Sequence, residues 1–258
     1  MALRPVELKV ADYMSPNPIS VGANSSFSDA IDIMADKGIG NLVVKVDHVI
    51  RGLLTEREIL YYIASDKKIV DKLTKDVIVQ PFASIALETT VPSAAKMMIV
   101  QKARLLVFDN KKLVGIITTS DMLRAFRKTS LNPSLDKVLS SKIYQCSYDD
   151  SIVDATRMMH EKRIGSVIVT KNETPYGIFT ERDLLVNVLA NEVNLKEKVG
   201  GYCTSPLVTA KIGTRGNEAA NVMASNRIKR LVLTKDNRMA GIVTARDIVD
   251  AFQMESEF

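Results

Sequence analysis

The sequence predicts an α/β (α+β) fold assembled from four copies of one β-α-β-β-α unit. Three observations carry that expectation. The segments GLLTERE at 52–58, GIITTSD at 115–121, GIFTERD at 177–183 and GIVTARD at 241–247 share one pattern, and their glycines recur at intervals of 63, 62 and 64 residues. A methionine on a helical pattern (Met34, Met98, Met159 or Met223) precedes each glycine by 17 or 18 residues. Between these markers the first copy switches from a helical to an extended hydrophobic period, as one supersecondary unit of a repeat does.

The elements of the first copy follow in order. Ile19-Ser20-Val21 is a short strand. Ser26-Phe27-Ser28-Asp29 has the spacing of a helix N-cap, in which the Ser26 oxygen accepts from a backbone N–H of the first turn. Phe27, Ala30, Ile31 and Met34 fall at i, i+3, i+4 and i+7, one apolar stripe. Gly38 and Gly40 can end that helix. Asn41–Val46 is rich in β-branched residues and reads as a buried strand. Gly52-Leu53-Leu54 is the next strand, and Thr55 opens a helix with Ile59, Leu60 and Ile63 on its face. The third copy repeats the order: Ile143–Cys146, a helix from Ser151, Ser166–Thr170, a polar turn around Asn172, Gly177–Phe179 and a helix from Thr180.

Copies one and three resemble each other, as do two and four. Ile39-Gly40-Asn41 matches Ile164-Gly165-Ser166, whereas Ala103-Arg104-Leu105 matches Lys229-Arg230-Leu231. This A-B-A-B pattern makes a pair of consecutive repeats the expected building block, each pair with its own core. The repeats are 1–66, 67–130, 131–193 and 194–258. The polar, proline-containing stretch Lys128–Asp136 divides the two pairs.

Composition narrows the function classes. Of 258 residues 46% are hydrophobic and 25% charged, ordinary for a globular chain and unlike a disordered one. No 18-residue apolar window exists, so no membrane-spanning helix is expected. The N-terminus lacks the apolar core of a secretory signal, and the cytoplasm is the default location. Two cysteines, Cys146 and Cys203, make no CxxC pattern. Two histidines, His48 and His160, are too few for a histidine metal site or histidine-based catalysis. The net charge of +5 suits an anionic partner. Scattered Lys and Arg and only 14 aromatic residues weaken a nucleic-acid reading.

A strand, an amphipathic helix ending near Met, two strands and a Gly-h-h-Thr-x-x-Asp segment opening the last helix together resemble the cystathionine-β-synthase (CBS) domain. The resemblance extends over nearly the whole chain in four copies, an arrangement similar to the γ subunit of AMP-activated protein kinase and to stand-alone prokaryotic CBS-domain sensors. It implies that consecutive repeats pair into two Bateman modules whose clefts bind adenosine nucleotides. Four repeats suffice for one flat disc per chain, and a homodimer is a further arrangement. No kinase, channel, transporter or dehydrogenase segment accompanies the repeats, so a regulatory piece acting on its own is expected.

The candidate ligand residues come from four places. A helix N-terminus presents unpaired N–H groups and partial positive charge, and Thr118, Thr180 and Thr244 add a hydroxyl there. One turn on, Asp121, Asp183 and Asp247 could accept from both hydroxyls of a ribose. The same Thr-x-x-Asp spacing also describes a plain helix cap, and both readings can hold together. In the first copy Glu58 replaces the aspartate; its extra methylene suits the cap and misplaces a diol contact. Arg104 and Arg230 occupy equivalent positions, with Lys229 beside the latter. The resemblance implies that this basic position reaches a phosphate bound near the partner repeat, as guanidinium geometry favours. Arg182 is a further phosphate candidate, although Glu56-Arg57 and Glu181-Arg182 also read as solvated charges. Ser20, Ser84, Gln145 and Thr209 occupy similar places on the four first strands, which in related domains run beside the nucleoside. The Met-Met pairs at 97–98 and 158–159 and Cys146 belong to the core.

The expected function is that of a non-enzymatic sensor with AMP, ADP or ATP as ligand, no cofactor and no metal, and an unidentified regulated protein as partner. An S-adenosylmethionine sensor and a nucleic-acid-associated regulator are the alternatives. An enzyme is disfavoured because no nucleophile–base pair or metal constellation exists.

Overall fold

The computed structural model describes residues 2–65, 72–101 and 104–257; the expected 66/67 boundary and Ala103 lie outside them. A lead-in of α1 (Val10–Tyr13) and β1 (Ser15–Pro16) precedes the first repeat, β2 (Ser20–Gly22), α2 (Phe27–Asp36), β3 (Asn41–Val46), β4 (Val49–Thr55) and α3 (Glu56–Ala64). The second is β5 (Ala83–Ala86), α4 (Val91–Gln101), β6 (Leu105–Asp109), β7 (Lys112–Ile117) and α5 (Thr119–Phe126). The third is β8 (Gln145–Ser147), α6 (Ile152–Glu161), β9 (Ser166–Lys171), β10 (Thr174–Thr180) and α7 (Glu181–Asp183). The fourth is β11 (Thr209–Lys211), α8 (Gly216–Ser225), β12 (Arg230–Lys235), β13 (Arg238–Thr244) and α9 (Ala245–Ser256). In each repeat the first strand runs parallel to the second, and the second antiparallel to the third.

Local chemistry explains these elements. Ser26 Oγ accepts from Asp29 N–H at 3.0 Å, so the expected N-cap of α2 is present. The stripe Phe27, Ala30, Ile31 and Met34 is buried, each large side chain contributing roughly 1.5–3 kcal/mol. Past α2, Gly38 adopts φ +63°, and Arg163 and Arg227 take the same left-handed conformation past α6 and α8. The hairpins β3–β4, β9–β10 and β12–β13 turn on two residues with positive φ (Asp47-His48, Asn172-Glu173, Asp236-Asn237), as tight hairpins require. The third repeat departs from expectation. Its last helix makes one α-turn and then winds as a π-helix over Leu184–Val188.

The chain packs as two compact bodies: Met1–Pro18, Phe82–Lys142 and Val208–Phe258 in one, and Ile19–Pro81 with Ile143–Leu207 in the other. The first therefore contains the second and fourth repeats. They share a single core in which Phe126 of α5 stacks on Phe252 of α9 at 5.2 Å. The other contains the first and third repeats. There Leu60 of α3 lies in the third repeat's core, and Leu185 lies in the first repeat's core.

The glycines that mark the repeat have a packing reason that their spacing alone does not give. The segment leading into each repeat lies against the third strand of another. Ser15 bridges Ile116, Val79 bridges Leu53, Ser140 bridges Ile242 and Thr204 bridges Ile178. A Cβ at Gly52 would fall on the Val79 carbonyl oxygen, and one at Gly177 would lie 2.5 Å from the Thr204 carbonyl oxygen. At Gly115 and Gly241 it would meet the side chains of Met14 and Leu139. The chain thus exchanges lead-in segments between consecutive repeats, first with second and third with fourth.

Candidate functional site

The register of each sheet gathers the candidate residues onto one face. Ser20, Ser84, Gln145 and Thr209 are all exposed and stand opposite Val43, Leu106, Ile168 and Val232 of the second strand. On β12, Arg230 is two residues from Val232 and therefore points to the same face. Arg230 in turn pairs with Thr244, the last residue of β13 and the cap of α9. Thr209, Arg230 and Thr244 thus share a face, while Leu231, Leu233 and Val243 point to the helices and their core. In the third repeat Gln145, Ile168, Ser166 and Thr180 follow the same register. Arg104 directly precedes β6, where it continues the face carrying Ser84. Lys229 is exposed next to Arg230.

The helix starts are more self-satisfied than the sequence suggests. The first N–H of α3, α7 and α9 donates to the Gly40, Gly165 and Lys229 carbonyls at 3.3, 3.1 and 2.9 Å. Thr180 and Thr244 hydroxyls accept from Asp183 and Asp247 N–H at 3.2 and 3.3 Å. Two of the N–H groups that could hold an anion are therefore taken. Past α7 the helix continues as the π-wound stretch Leu184–Val188, whereas α9 is a regular α-helix of twelve residues, the longest that starts at a Thr-x-x-Asp cap.

The three aspartates close reciprocal capping boxes. Asp121, Asp183 and Asp247 Oδ2 accept from the Thr118, Thr180 and Thr244 N–H at 2.9, 2.8 and 2.7 Å, and from the same hydroxyls at 2.8, 2.6 and 2.8 Å. Glu58 behaves otherwise. It accepts from the Thr55 hydroxyl, while Thr55 Oγ1 accepts from Arg57 N–H. The three aspartates reach back to the backbone of their caps.

The second carboxylate oxygen distinguishes the copies. Asp121 Oδ1 lies 3.1 Å from the Arg124 guanidinium, which also donates to the Tyr13 carbonyl. Asp183 Oδ1 accepts from the Thr204 hydroxyl at 2.7 Å and the Asn187 amide at 3.1 Å. Asp247 Oδ1 has no hydrogen-bond partner among the described residues, and Asp247 is less buried than the other two. Burial, aided by the neighbouring Asp247, raises the Asp250 carboxyl above its ordinary range. Thr204, Asn187 and Arg124 did not stand out in the sequence. One signal was available: Ser15, Ser140 and Thr204 each precede their own repeat's glycine by 37 residues.

Glu56-Arg57 and Glu181-Arg182 are not solvated charges. Glu56 and Glu181 are buried. Arg57 Nε lies 3.0 Å from Glu181 Oε1, and Arg182 Nη1 lies 3.6 Å from Glu56 Oε1 while Nη2 donates to the Gly38 carbonyl at 3.0 Å. Each repeat's helix start holds the other's, and a phosphate contact by Arg182 would require it to leave these partners. Gly40 leaves room for this arrangement, because a Cβ there would lie 2.8 Å from the Glu56 carboxylate. Cys146 is in the core, where burial pushes its thiol up to about 12; Cys203 packs against the same core, its thiol pushed up to about 11. His160 is packed edge-on against Tyr61 at 4.7 Å, with Nδ1 buried.

Among the described residues no helix is long and apolar enough to cross a membrane. The CBS domain family model matches residues 10–65, 74–128, 135–190 and 199–253. An uncharacterised protein of Methanocaldococcus jannaschii, MJ1404, is 25% identical over 93% of this chain and 61% of its own length. An uncharacterised protein of Methanopyrus kandleri, MK0525, is 34% identical over 45% of this chain and 61% of its own length. The chain thus spans about three-fifths of the length of these curated relatives. Among solved structures, MJ1225 of M. jannaschii, described as a proposed archaeal homologue of γ-AMPK, superimposes with a TM-score of 0.80 at 17% identity, covering 95% of this chain and all of that one. At that identity the likeness is one of fold.

Proposed function

The chain belongs to the CBS-domain family, and from that premise we propose that it is a non-catalytic regulatory sensor of adenosine nucleotides. AMP, ADP or ATP would lie on the sheet face that carries the Thr-x-x-Asp helix starts. The residues proposed to hold it in the fourth repeat are Asp247 for the ribose hydroxyls, Arg230 and Lys229 for phosphate, and Thr209 beside the nucleoside. The same roles are proposed for Asp183 with Thr180 and Gln145, and for Asp121 with Thr118, Arg104 and Ser84. Consecutive repeats are proposed to act as modules, a reading supported by their exchanged lead-in segments. An unidentified protein would read the ligand state. A ligand can shift such a response only by its difference in affinity between two states.

One observation carries this reading. Asp247 keeps its cap through Oδ2 and leaves Oδ1 without a hydrogen bond from the described residues, at the start of a long helix whose cap residue, Thr244, pairs with Arg230 across the sheet. A carboxylate with a free oxygen suits a vicinal diol, and nearby cations suit phosphate. Thermal unfolding with each nucleotide tests it. A ligand at about 100 times its dissociation constant adds roughly 2.7 kcal/mol, a rise of about 5–10 °C for a chain of this size. An unmoved melting curve in millimolar AMP, ADP and ATP would rule it out.

A further inference from the structure

We propose that Thr204 is a built-in competitor for ligand at Asp183 and sets the affinity of the third repeat's site. The inference rests on the nucleotide reading above. An ionised carboxylate offers about four lone-pair positions. At Asp183 all are used: Oδ2 by the Thr180 N–H and hydroxyl at 2.8 and 2.6 Å, Oδ1 by the Thr204 hydroxyl and Asn187 amide at 2.7 and 3.1 Å. Asp183 is 5% exposed, so little of it remains for an incoming donor. A ligand diol needs the oxygen that Thr204 holds.

Thr204 is the donor that can leave. It is exposed, and its backbone is held separately by paired hydrogen bonds with Ile178, both 2.9 Å. Rotation about its Cα–Cβ bond frees Asp183 Oδ1 without moving the strand. Asn187 cannot leave as readily, because its amide also donates to the Tyr202 carbonyl at 3.0 Å. The other repeats give an internal comparison. The residues equivalent to Thr204 are Ser15, Val79 and Ser140. A hydroxyl residue accompanies each aspartate, and Val79 accompanies Glu58. In the fourth repeat the Ser140 hydroxyl lies 3.5 Å from the Lys142 carbonyl and is not on Asp247. The fourth repeat is therefore the open counterpart of the closed third.

A site open about one part in ten binds with roughly tenfold weaker apparent affinity. Calorimetric titration with AMP tests this in an Asp121→Asn, Asp247→Asn background of the full chain, which isolates Asp183. Thr204→Val keeps the β-branched shape and removes the hydroxyl, and should tighten AMP binding about tenfold. Thr204→Ser keeps the hydroxyl and should match the parent. 2′-Deoxy-AMP, which lacks the diol, should not gain. Melting without ligand checks that Thr204→Val folds; Thr204→Ala is read in the same way if it does not. If the wild-type chain binds AMP but removing the hydroxyl leaves affinity at Asp183 unchanged or weaker, the competitor role is wrong and the nucleotide reading stands. If neither the wild-type chain nor any variant binds AMP, both fall.

Discussion

Asp121, Asp183 and Asp247 stand at one place in three repeats and each gives Oδ2 to its cap, yet Oδ1 differs: it meets Arg124 at Asp121, Thr204 and Asn187 at Asp183, and no donor among the described residues at Asp247. Asp247 has Oδ1 free of hydrogen bonds from the described residues, so its two functions can be separated by substitution. Asp247→Asn retains a side-chain oxygen for Thr244, and unliganded stability should fall by no more than about 1 kcal/mol. The charged acceptor for a diol is lost, at a cost of about 1.5–3 kcal/mol or roughly 10–150-fold in affinity. Paired melting and AMP titration measure both quantities; equal losses would make Asp247 a cap alone. The Thr-x-x-Asp spacing was legible in the sequence because both partners lie within one turn. The occupants of Oδ1 were not: Thr204 comes from a segment 21 residues away, and only the fold brings it there.

At the scale of elements, strands, helices and hairpins followed from period and turn residues, and Asn41–Val46 has the bounds its composition predicts. The reason for the repeat's glycines was hidden, since it lies in a lead-in segment that pairs with a different repeat. That reason predicts a ranking. Gly52→Ala and Gly177→Ala push a methyl into backbone carbonyl oxygens of Val79 and Thr204, which cannot turn aside. Gly115→Ala mainly meets the thioether of Met14, a flexible side chain. The first two should each cost roughly 1–3 kcal/mol and the third less, in denaturant titrations of the three variants. Equal costs would show that backbone crowding by the lead-in segments is not what selects glycine. The pairs Arg57–Glu181 and Arg182–Glu56, with buried glutamates and half-exposed arginines, were likewise illegible, because adjacent Glu-Arg residues at a helix start read as surface charges until a second such start is packed beside them.

Across the full chain, the A-B-A-B pattern predicts pairs of consecutive repeats, each with its own core. The cores instead join like with like, second with fourth and first with third, while lead-in segments link consecutive repeats. Likeness in sequence therefore tracks shared packing: residues such as Phe126 and Phe252, or Leu60 and Leu185, fill matching positions across a pseudo-symmetric helix contact. This makes the behaviour of a divided chain decisive. Halves 1–132 and 133–258, co-expressed, each contain one member of every such contact. Parting them would expose Phe126, Phe252, Leu60 and Leu185, all fully buried, at roughly 1.5–3 kcal/mol for each side chain. Asn132 adds further ties, donating its N–H to Glu255 at 2.9 Å and accepting from Arg215 at 2.7 Å through its carbonyl. The two halves should therefore co-purify as one complex of the intact chain's 28.5 kDa and unfold in a single transition. Size-exclusion chromatography and calorimetry read the outcome. Halves that run apart, each folded and each melting at the temperature of the intact chain, would mean that consecutive repeats are self-sufficient and that the cores joining like repeats contribute little to stability.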